Sequence, residues 1–105
     1  MEKSLLIKFI GESPSFKIVD FLIENKGLDV TKKEIIEGAD ISRASLFKCW
    51  KQLEENGLVT VKRQFGKTKL YSINSKNTIV KNILQLESSL IERAIENNSL
   101  VEIPN

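Results

Sequence analysis

The side chains with the clearest chemical potential are the lysines and arginines in the middle of the chain. Residues 31–74 contain nine Lys or Arg and five Asp or Glu, whereas residues 1–30 and 75–105 each carry one acidic residue more than basic ones. Within the basic block, residues 42–53 and 62–69 contain no acidic residue. Clustered cations favour phosphate-bearing partners, so this asymmetry predicts an anionic ligand although the formal net charge is only +2.

Other kinds of chemistry are disfavoured by residue types that the chain lacks. It has no histidine, which excludes a Ser-His-Asp triad and any histidine metal ligand. A single cysteine, Cys49, can form neither an intramolecular disulfide nor a cysteine zinc site. No apolar run reaches the roughly 18 residues of a membrane span, and the start is too charged for a secretory signal. The sequence therefore predicts a cytoplasmic protein, not an enzyme, with no metal and no cofactor.

The elements that must position the cations begin with three consecutive helices. Each is predicted by a polar N-cap: Ser13 before Pro14, Thr31 in a capping box with Glu34, and Ser42. The predicted ends are Gly27, the segment Gly38-Ala39-Asp40, and Gly57 after Asn56.

A β-hairpin and a long helix are predicted to follow. Residues 58–64 and 68–74 have the composition of strands, and Phe65-Gly66-Lys67 is predicted to form the turn between them. A helix is expected from about Asn77 to Asn98, followed by a loose tail over 99–105. Periodicity leaves residues 4–10 open between a strand and a helix.

This order of elements predicts a mainly α protein with a small β-hairpin, a winged helix-turn-helix. The predicted organisation is an N-terminal apolar arm over 1–13, a DNA-binding domain over 14–74, a dimerisation helix over 75–98 and the tail. In a helix-turn-helix the second helix, here 42–56, is the recognition helix that enters the major groove of DNA. The alternative is a small α+β domain in which two short helices follow one another without that role.

Several segments resemble one family. They are residues 9–14 (FIGESP), 33–46 (KEIIEGADISRASL), 67–74 (KTKLYSIN) and 79–87 (IVKNILQLE). They resemble the archaeal winged helix-turn-helix transcriptional regulators, relatives of the arsenic-repressor-like and multiple-antibiotic-resistance-regulator-like proteins. The resemblance covers nearly the whole chain and implies a dimeric DNA-binding regulator. Two departures are Ile36, where these helices often have Ala, and Asp40, where the turn usually has Gly.

The predicted DNA contacts lie on the recognition helix, on the helix before it and on the hairpin, or wing. Arg is the usual reader of guanine, Ala and Phe contact thymine methyl groups, and Lys neutralises phosphates. The alternatives are a solvated helix face, and wing lysines that only guard a sheet edge. The predicted residues are Lys32, Lys33, Ser42, Arg43, Ala44, Ser45, Phe47, Lys48, Lys51, Lys62, Arg63, Lys67, Thr68 and Lys69.

Three other residues near these cations are expected to be buried or partly buried and not to contact DNA. Cys49 and Trp50 continue the apolar stripe of the recognition helix, which favours packing over a redox-sensitive thiol or a base-stacking indole. Phe65 is expected to be a partly buried turn residue, with a minor-groove wedge as the alternative.

The apolar surface of the last helix predicts a homodimer. Its apolar residues form two neighbouring rows, which is wider than packing on one domain requires. The rows are Ile79, Ile83, Leu86, Leu90 and Ala94, and Val80, Leu84, Ile91 and Ile95; the arm adds Leu5, Leu6, Ile7, Phe9 and Ile10. The alternative is a helix wrapped around its own domain.

The function expected from these features is sequence-specific binding of double-stranded DNA by a homodimer that regulates transcription. The alternatives are a protein-interaction winged helix and a DNA-binding accessory or segregation protein without a promoter target. Small winged-helix dimers often hold an effector ligand, but no residue pattern marks one here.

Overall fold

The computed structural model describes residues 3–102 of the chain. Within these residues lie five helices and an antiparallel pair of strands. They are α1 (Leu5–Ile10), α2 (Pro14–Glu24), α3 (Lys32–Ala39), α4 (Arg43–Glu55), β1 (Val59–Phe65), β2 (Thr68–Ile73) and α5 (Thr78–Glu102). The order of elements predicted from the sequence is confirmed, and residues 4–10, left open before, form a short helix.

The three predicted N-caps are confirmed as hydrogen bonds. Ser13 Oγ accepts from the backbone N–H of Phe16, and Ser42 Oγ accepts from that of Ser45 at 3.0 Å. Thr31 and Glu34 form the capping box in both directions, with N···O distances of 2.8 and 3.1 Å. Side chains thereby satisfy donors that the first helical turn leaves free, so each helix start depends on its local sequence alone.

The ends of α2 and α3 differ from the prediction. α2 ends at Glu24, before the predicted stop at Gly27. α3 does not break at Gly38 but continues through it to Ala39, and only Asp40 leaves the helix, in the left-handed region at φ 57° and ψ 55°. Asp tolerates this conformation better than most residues, so it makes the turn that a glycine usually makes.

The last helix is longer than predicted. It begins after Asn77, whose Oδ1 accepts from the backbone N–H groups of Ile79 and Val80. It continues past the predicted end at Asn98 to Glu102, so the expectation of a loose tail is wrong for residues 99–102. Residues 103–105 lie outside the described part of the chain.

The hairpin turn is one residue shorter than predicted. Phe65 pairs with Thr68, so Phe65 belongs to β1 and the turn consists of Gly66 and Lys67, with Gly66 at φ 59°. A register shift between Val61 and Arg63 leaves Lys62 as the extra residue of a β-bulge, which bends and twists the wing.

A short bridge ties the hairpin to the helical part of the domain. Val30 and Tyr71 exchange backbone hydrogen bonds of 2.9 and 2.7 Å. Val30, in the segment between α2 and α3, therefore contributes one extended position beside β2, just before α3 begins. The wing and the first residues of α3 are held together by this pairing.

The core lies between α2, α4, the hairpin and the start of α5. Its fully buried side chains are Leu6, Ile18, Leu22, Ile35, Leu46 and Val80. α2 packs against α1, α3 and α4, and α1 also packs against α5. No helix among the described residues is long and apolar enough to cross a membrane.

Candidate nucleic-acid interface

The helix-turn-helix consists of α3, a turn of three residues and α4. Lys17 of α2 donates a hydrogen bond of 3.0 Å to the backbone oxygen of Asp40, which ties the turn to the preceding helix. α4 places Leu46, Trp50 and Leu53 in the core, as its apolar stripe predicts. The opposite face of α4 therefore points away from the core of the domain.

The exposed face of α4 contains the cations that the sequence analysis selects. Exposed on it are Ser42, Arg43, Ala44, Phe47, Lys48 and Lys51, whereas Ser45 is half-buried. Phe47 has 54% of its surface exposed although it is a large apolar residue. An apolar ring surrounded by cations on a solvent-exposed helix suits contact with a base edge flanked by phosphates.

A basic notch joins the start of α3 to the wing. It has a volume of about 360 Å³ and is lined by Thr31, Lys32, Lys67, Thr68, Lys69 and Tyr71. None of the six is acidic, and Lys67, Thr68 and Lys69 are exposed. Side chains far apart in sequence thus meet in one concave surface that carries hydroxyl and ammonium donors, a combination suited to a phosphate oxygen.

Lys32, at the start of α3, lies close to three aromatic rings. Its Nζ lies 5.4 Å from the ring centroid of Phe47, 5.1 Å from that of Trp50 and 5.7 Å from that of Tyr71. Trp50 and Tyr71 pack edge to face, with centroids 4.8 Å apart. Lys32 is half-buried, whereas Lys33 beside it is exposed. The two adjacent lysines therefore have different surroundings.

Two of the predicted DNA-contacting cations have acidic partners in the same chain. Arg63 donates from Nε to Asp29 Oδ2 at 2.9 Å, and Lys51 lies 3.9 Å from Glu55 one turn along α4. Within residues 3–97, whose side chains the structure describes, the other predicted cations take part in no ion pair. Their charge is therefore not neutralised inside the described part of the molecule.

The three neighbouring residues Cys49, Trp50 and Phe65 have different environments. Trp50 is buried, as expected, and Cys49 is half-buried against the core. Phe65 contradicts the expectation of a partly buried turn residue, because it is 61% exposed near the wing tip. It lies at the end of β1, beyond the reach of the core, and the Arg63 guanidinium is 5.8 Å from its ring centroid.

The residues predicted to form a dimer fall into two groups. Leu6, Ile7 and Val80 are buried in the domain itself, which corrects their assignment to a contact with a second copy. Along the row Val80, Leu84, Ile91 and Ile95 the exposed fraction rises from 0% at Val80 to 59% at Ile95. After its first turns α5 extends beyond the rest of the domain. The same row of side chains is therefore buried at its start and exposed further along.

The rest of the predicted dimer set does not follow this trend, because Ile79 is exposed at the start of α5 whereas Ala94 is half-buried towards its end. Phe9, Ile10, Ile79 and Ile91 are exposed by more than 40% of their surface. The other members are half-buried, and four of them pack against the core. The half-buried members are Leu5, Ile83, Leu84, Leu86, Leu90 and Ala94.

A second cleft of about 450 Å³ lies between α1, α2 and α3, and its walls include Phe21, Asp20 and Glu24. Asp20 is buried and accepts a hydrogen bond of 2.8 Å from Ser4 Oγ. Burial raises the pKa of the Asp20 carboxyl, and burial together with the charges of Asp20 and Glu87 raises the pKa of Glu24. In the described residues no group of three or more acidic or cysteine side chains is arranged to hold a metal ion.

Comparison with known proteins identifies the fold. No protein-family model matches the chain, and no curated protein matches it in sequence. Solved structures do match. The DNA-binding protein Sso10a-2 from Sulfolobus solfataricus superposes with a TM-score of 0.52 at 19% identity, over 85% of this chain and 94% of that one. The fold is a winged helix.

Two further structures share this winged-helix fold. ZitR from Lactococcus lactis, in complex with DNA, gives a TM-score of 0.53 at 19% identity over 87% of this chain and 59% of that one. The PcaV transcriptional regulator from Streptomyces coelicolor, with its natural ligand, gives 0.54 at 17% identity over 94% and 81%. The fold that the sequence resemblance implies is thus confirmed.

Sequence reasoning missed the partners of two interface residues. Nothing in the local sequence marks Asp29 as a partner, although its carboxylate holds Arg63. Basicity alone predicts that Lys32 contacts DNA, although its ammonium lies among three aromatic rings of its own chain. Both partners are distant in sequence, and no local pattern marks them.

Proposed function

We propose that this winged-helix protein binds double-stranded DNA as a homodimer and regulates transcription in the cytoplasm. α4 would lie in the major groove, with Arg43 and Phe47 towards the bases. Lys67 and Lys69 of the wing would contact the flanking backbone. In a symmetric dimer the two copies of α4 would enter successive major grooves, about 34 Å apart.

The observation that carries this proposal is the continuity of the basic surface. α3, α4 and the wing contribute to one exposed face, and Arg43, Lys48, Lys67 and Lys69 on it have no acidic partner within the described residues. Surface cations left unpaired on a helix that faces away from the core form the electrostatic footprint of a nucleic-acid binder. The DNA-bound ZitR structure, which shares the fold, supports the same assignment.

The homodimer is supported by the uncovered part of α5. This helix has 25 residues and would extend about 37 Å at the usual rise, so it reaches beyond α1, against which it packs. Ile91 and Ile95 are exposed on that extension. Apolar residues at helical spacing on an otherwise polar helix favour contact with an equivalent helix of a second copy.

A charge-reversal experiment tests DNA binding. A duplex is first selected from a random pool, and its affinity is then measured by fluorescence anisotropy for the wild type and for R43E/K48E. We expect the double variant to lose at least about 10-fold in affinity, because a single base or phosphate contact of this kind accounts for roughly that factor. The control is K26E/K76E, which changes the net charge equally on two other exposed lysines.

Two results would contradict the proposal. One is an absence of duplex binding by the wild type at low salt, and the other is an equal loss in the reversal and control variants. Enrichment of palindromic sequences supports a dimeric regulator. Binding without enrichment supports a sequence-independent DNA-binding protein without a promoter target, a second candidate that the fold shared with the DNA-binding protein Sso10a-2 also allows.

A further inference from the structure

Lys32 occupies a position that no other cation of the interface shares. It is the first residue of α3, and its ammonium lies within 5.1 to 5.7 Å of three ring centroids. Two of the rings, Phe47 and Trp50, belong to α4, and the third, Tyr71, belongs to β2. This one side chain of α3 therefore lies against the two other parts of the proposed DNA-binding surface, α4 and the wing.

The three rings make this location favourable for a cation. An ammonium within about 6 Å of an aromatic centroid is attracted by the negative face of the ring, and the attraction grows as water is removed. Trp50 and Tyr71 are 4% exposed, so two of the rings present a largely dry environment. An ammonium that leaves this location for a phosphate would give up all three interactions at once.

Phe47 is the ring that depends most on this contact. It is 54% exposed, whereas the other two rings are fixed by the core. An exposed phenylalanine has little to restrict its rotation, and a cation over its face favours one orientation. That orientation matters because Phe47 lies on the face of α4 that is directed away from the core.

We propose that Lys32 is a positioning residue, not a phosphate contact. Its ammonium orients the Phe47 ring for contact with a base in the major groove and joins the wing strand β2 to α4. The inference rests on the proposed function, and it assigns to Lys32 a part in sequence discrimination. Phosphate contacts in the notch are left to Lys67 and Lys69, which are exposed on its wing side.

Salt dependence separates positioning from phosphate contact. Loss of one phosphate contact lowers the slope of log K against log salt by about 0.9. For K32M, which keeps the apolar stem and removes the charge, we expect a slope change below about 0.3, because no contact with a phosphate is lost. We also expect a roughly 10-fold fall in the affinity ratio between the selected duplex and a scrambled one.

Two variants complete the measurement. K32R keeps a cation that aromatic rings bind well, and we expect it to retain most of the discrimination. K69M removes a lysine from the opposite side of the same notch. We expect it to weaken binding to both duplexes equally and to lower the salt slope by about 0.9.

The contacts between Lys32 and the rings can also be tested in the free protein, without DNA. Protons close to aromatic ring faces resonate upfield, so the side-chain methylene signals of Lys32 should be shifted upfield relative to those of Lys33. The fluorescence of Trp50, the single tryptophan of the chain, should change in K32M but not in K33M. Circular dichroism confirms that each variant is folded.

The inference is overturned by any of three results. The first is a K32M salt slope lowered by about 0.9 with the affinity ratio between the two duplexes unchanged. The second is a K32M variant in which neither the salt slope nor the affinity ratio changes. The third is unshifted Lys32 methylene signals in the wild type. A wild type that binds no duplex refutes the proposed function instead. The spectroscopic comparison then still decides whether the rings hold Lys32.

Discussion

Replacement of Gly38 by alanine should destabilise the protein, although Gly38 lies inside a helix. Alanine in place of glycine within a helix normally stabilises by about 1 kcal/mol. Here a Cβ at position 38 would lie 2.6 Å from Cζ and 2.7 Å from Cδ1 of Phe21, and closer still to Cε1. Carbon atoms in contact are normally about 3.5 to 4.0 Å apart, so the ring would have to retreat by about 1 Å or more.

The net effect follows from two opposing contributions. Overpacking in a core costs typically 1–3 kcal/mol, and the gain in helix propensity offsets about 1 kcal/mol of it. Phe21 packs against the core and also lines the cleft of about 450 Å³, so the core limits only part of its retreat. We therefore expect G38A to lower the free energy of unfolding by about 1 kcal/mol, which for a domain of this size corresponds to a fall in Tm of roughly 5 °C.

Urea unfolding at fixed protein concentration, followed by the fluorescence of Trp50, measures this change. The matched background is F21L, because leucine lacks the outer ring atoms that the new Cβ would meet. In F21L the same G38A substitution should stabilise by about 1 kcal/mol. A G38A variant more stable than the wild type, or an effect of equal sign and size in both backgrounds, would refute the steric reasoning.

Two further predictions concern the dimer and the pH dependence of stability. I91S/I95S should reduce the mass measured by light scattering to that of a monomer, 11.9 kDa, with its helical content retained. V80A should instead lower the free energy of unfolding by about 2 kcal/mol and leave the mass unchanged, because Val80 is buried in the core. A wild-type mass of 11.9 kDa at micromolar concentration contradicts the dimer. Burial raises the pKa of Asp20 above its ordinary value of 3.8, so the folded state holds this proton more tightly and stability falls as pH rises from 3.8 through the folded-state pKa. D20N removes this contribution while keeping an oxygen for Ser4, so it should be more stable than the wild type at pH 7 and lose that advantage at low pH. Urea midpoints of the two proteins across this pH range check the trend. A difference between them that stays constant with pH would contradict it.

Much of the fold could be predicted because its signals are local. Ser13, Thr31 and Ser42 bond to backbone groups within three residues, so the helix starts can be identified from short segments. The apolar stripe of α4 fixes its buried face by periodicity alone, and the exposed face of Arg43, Phe47 and Lys48 follows from it.

The sequence was enough to predict the basic residues of the candidate site, but not the side chains that they contact. Charge counting identified the wing and α4 as basic, and their cations are indeed exposed. It could not show that Asp29 pairs with Arg63, because the two are 34 residues apart. It could not distinguish Lys32 from Lys33 either, since the difference lies in rings contributed by α4 and β2.

The sequence by itself determined where helices start, which faces are apolar and where the positive charge lies, because caps and periodicity act within a few residues. Only the tertiary structure decided which residues meet: Lys32 with three rings, Gly38 with Phe21, and Val80 with the core while Ile95 stays exposed on the same row. These contacts depend on how far α5 extends past α1 and on how closely α2, α3 and the hairpin approach one another. That geometry arises from packing the whole chain, and no short segment encodes it.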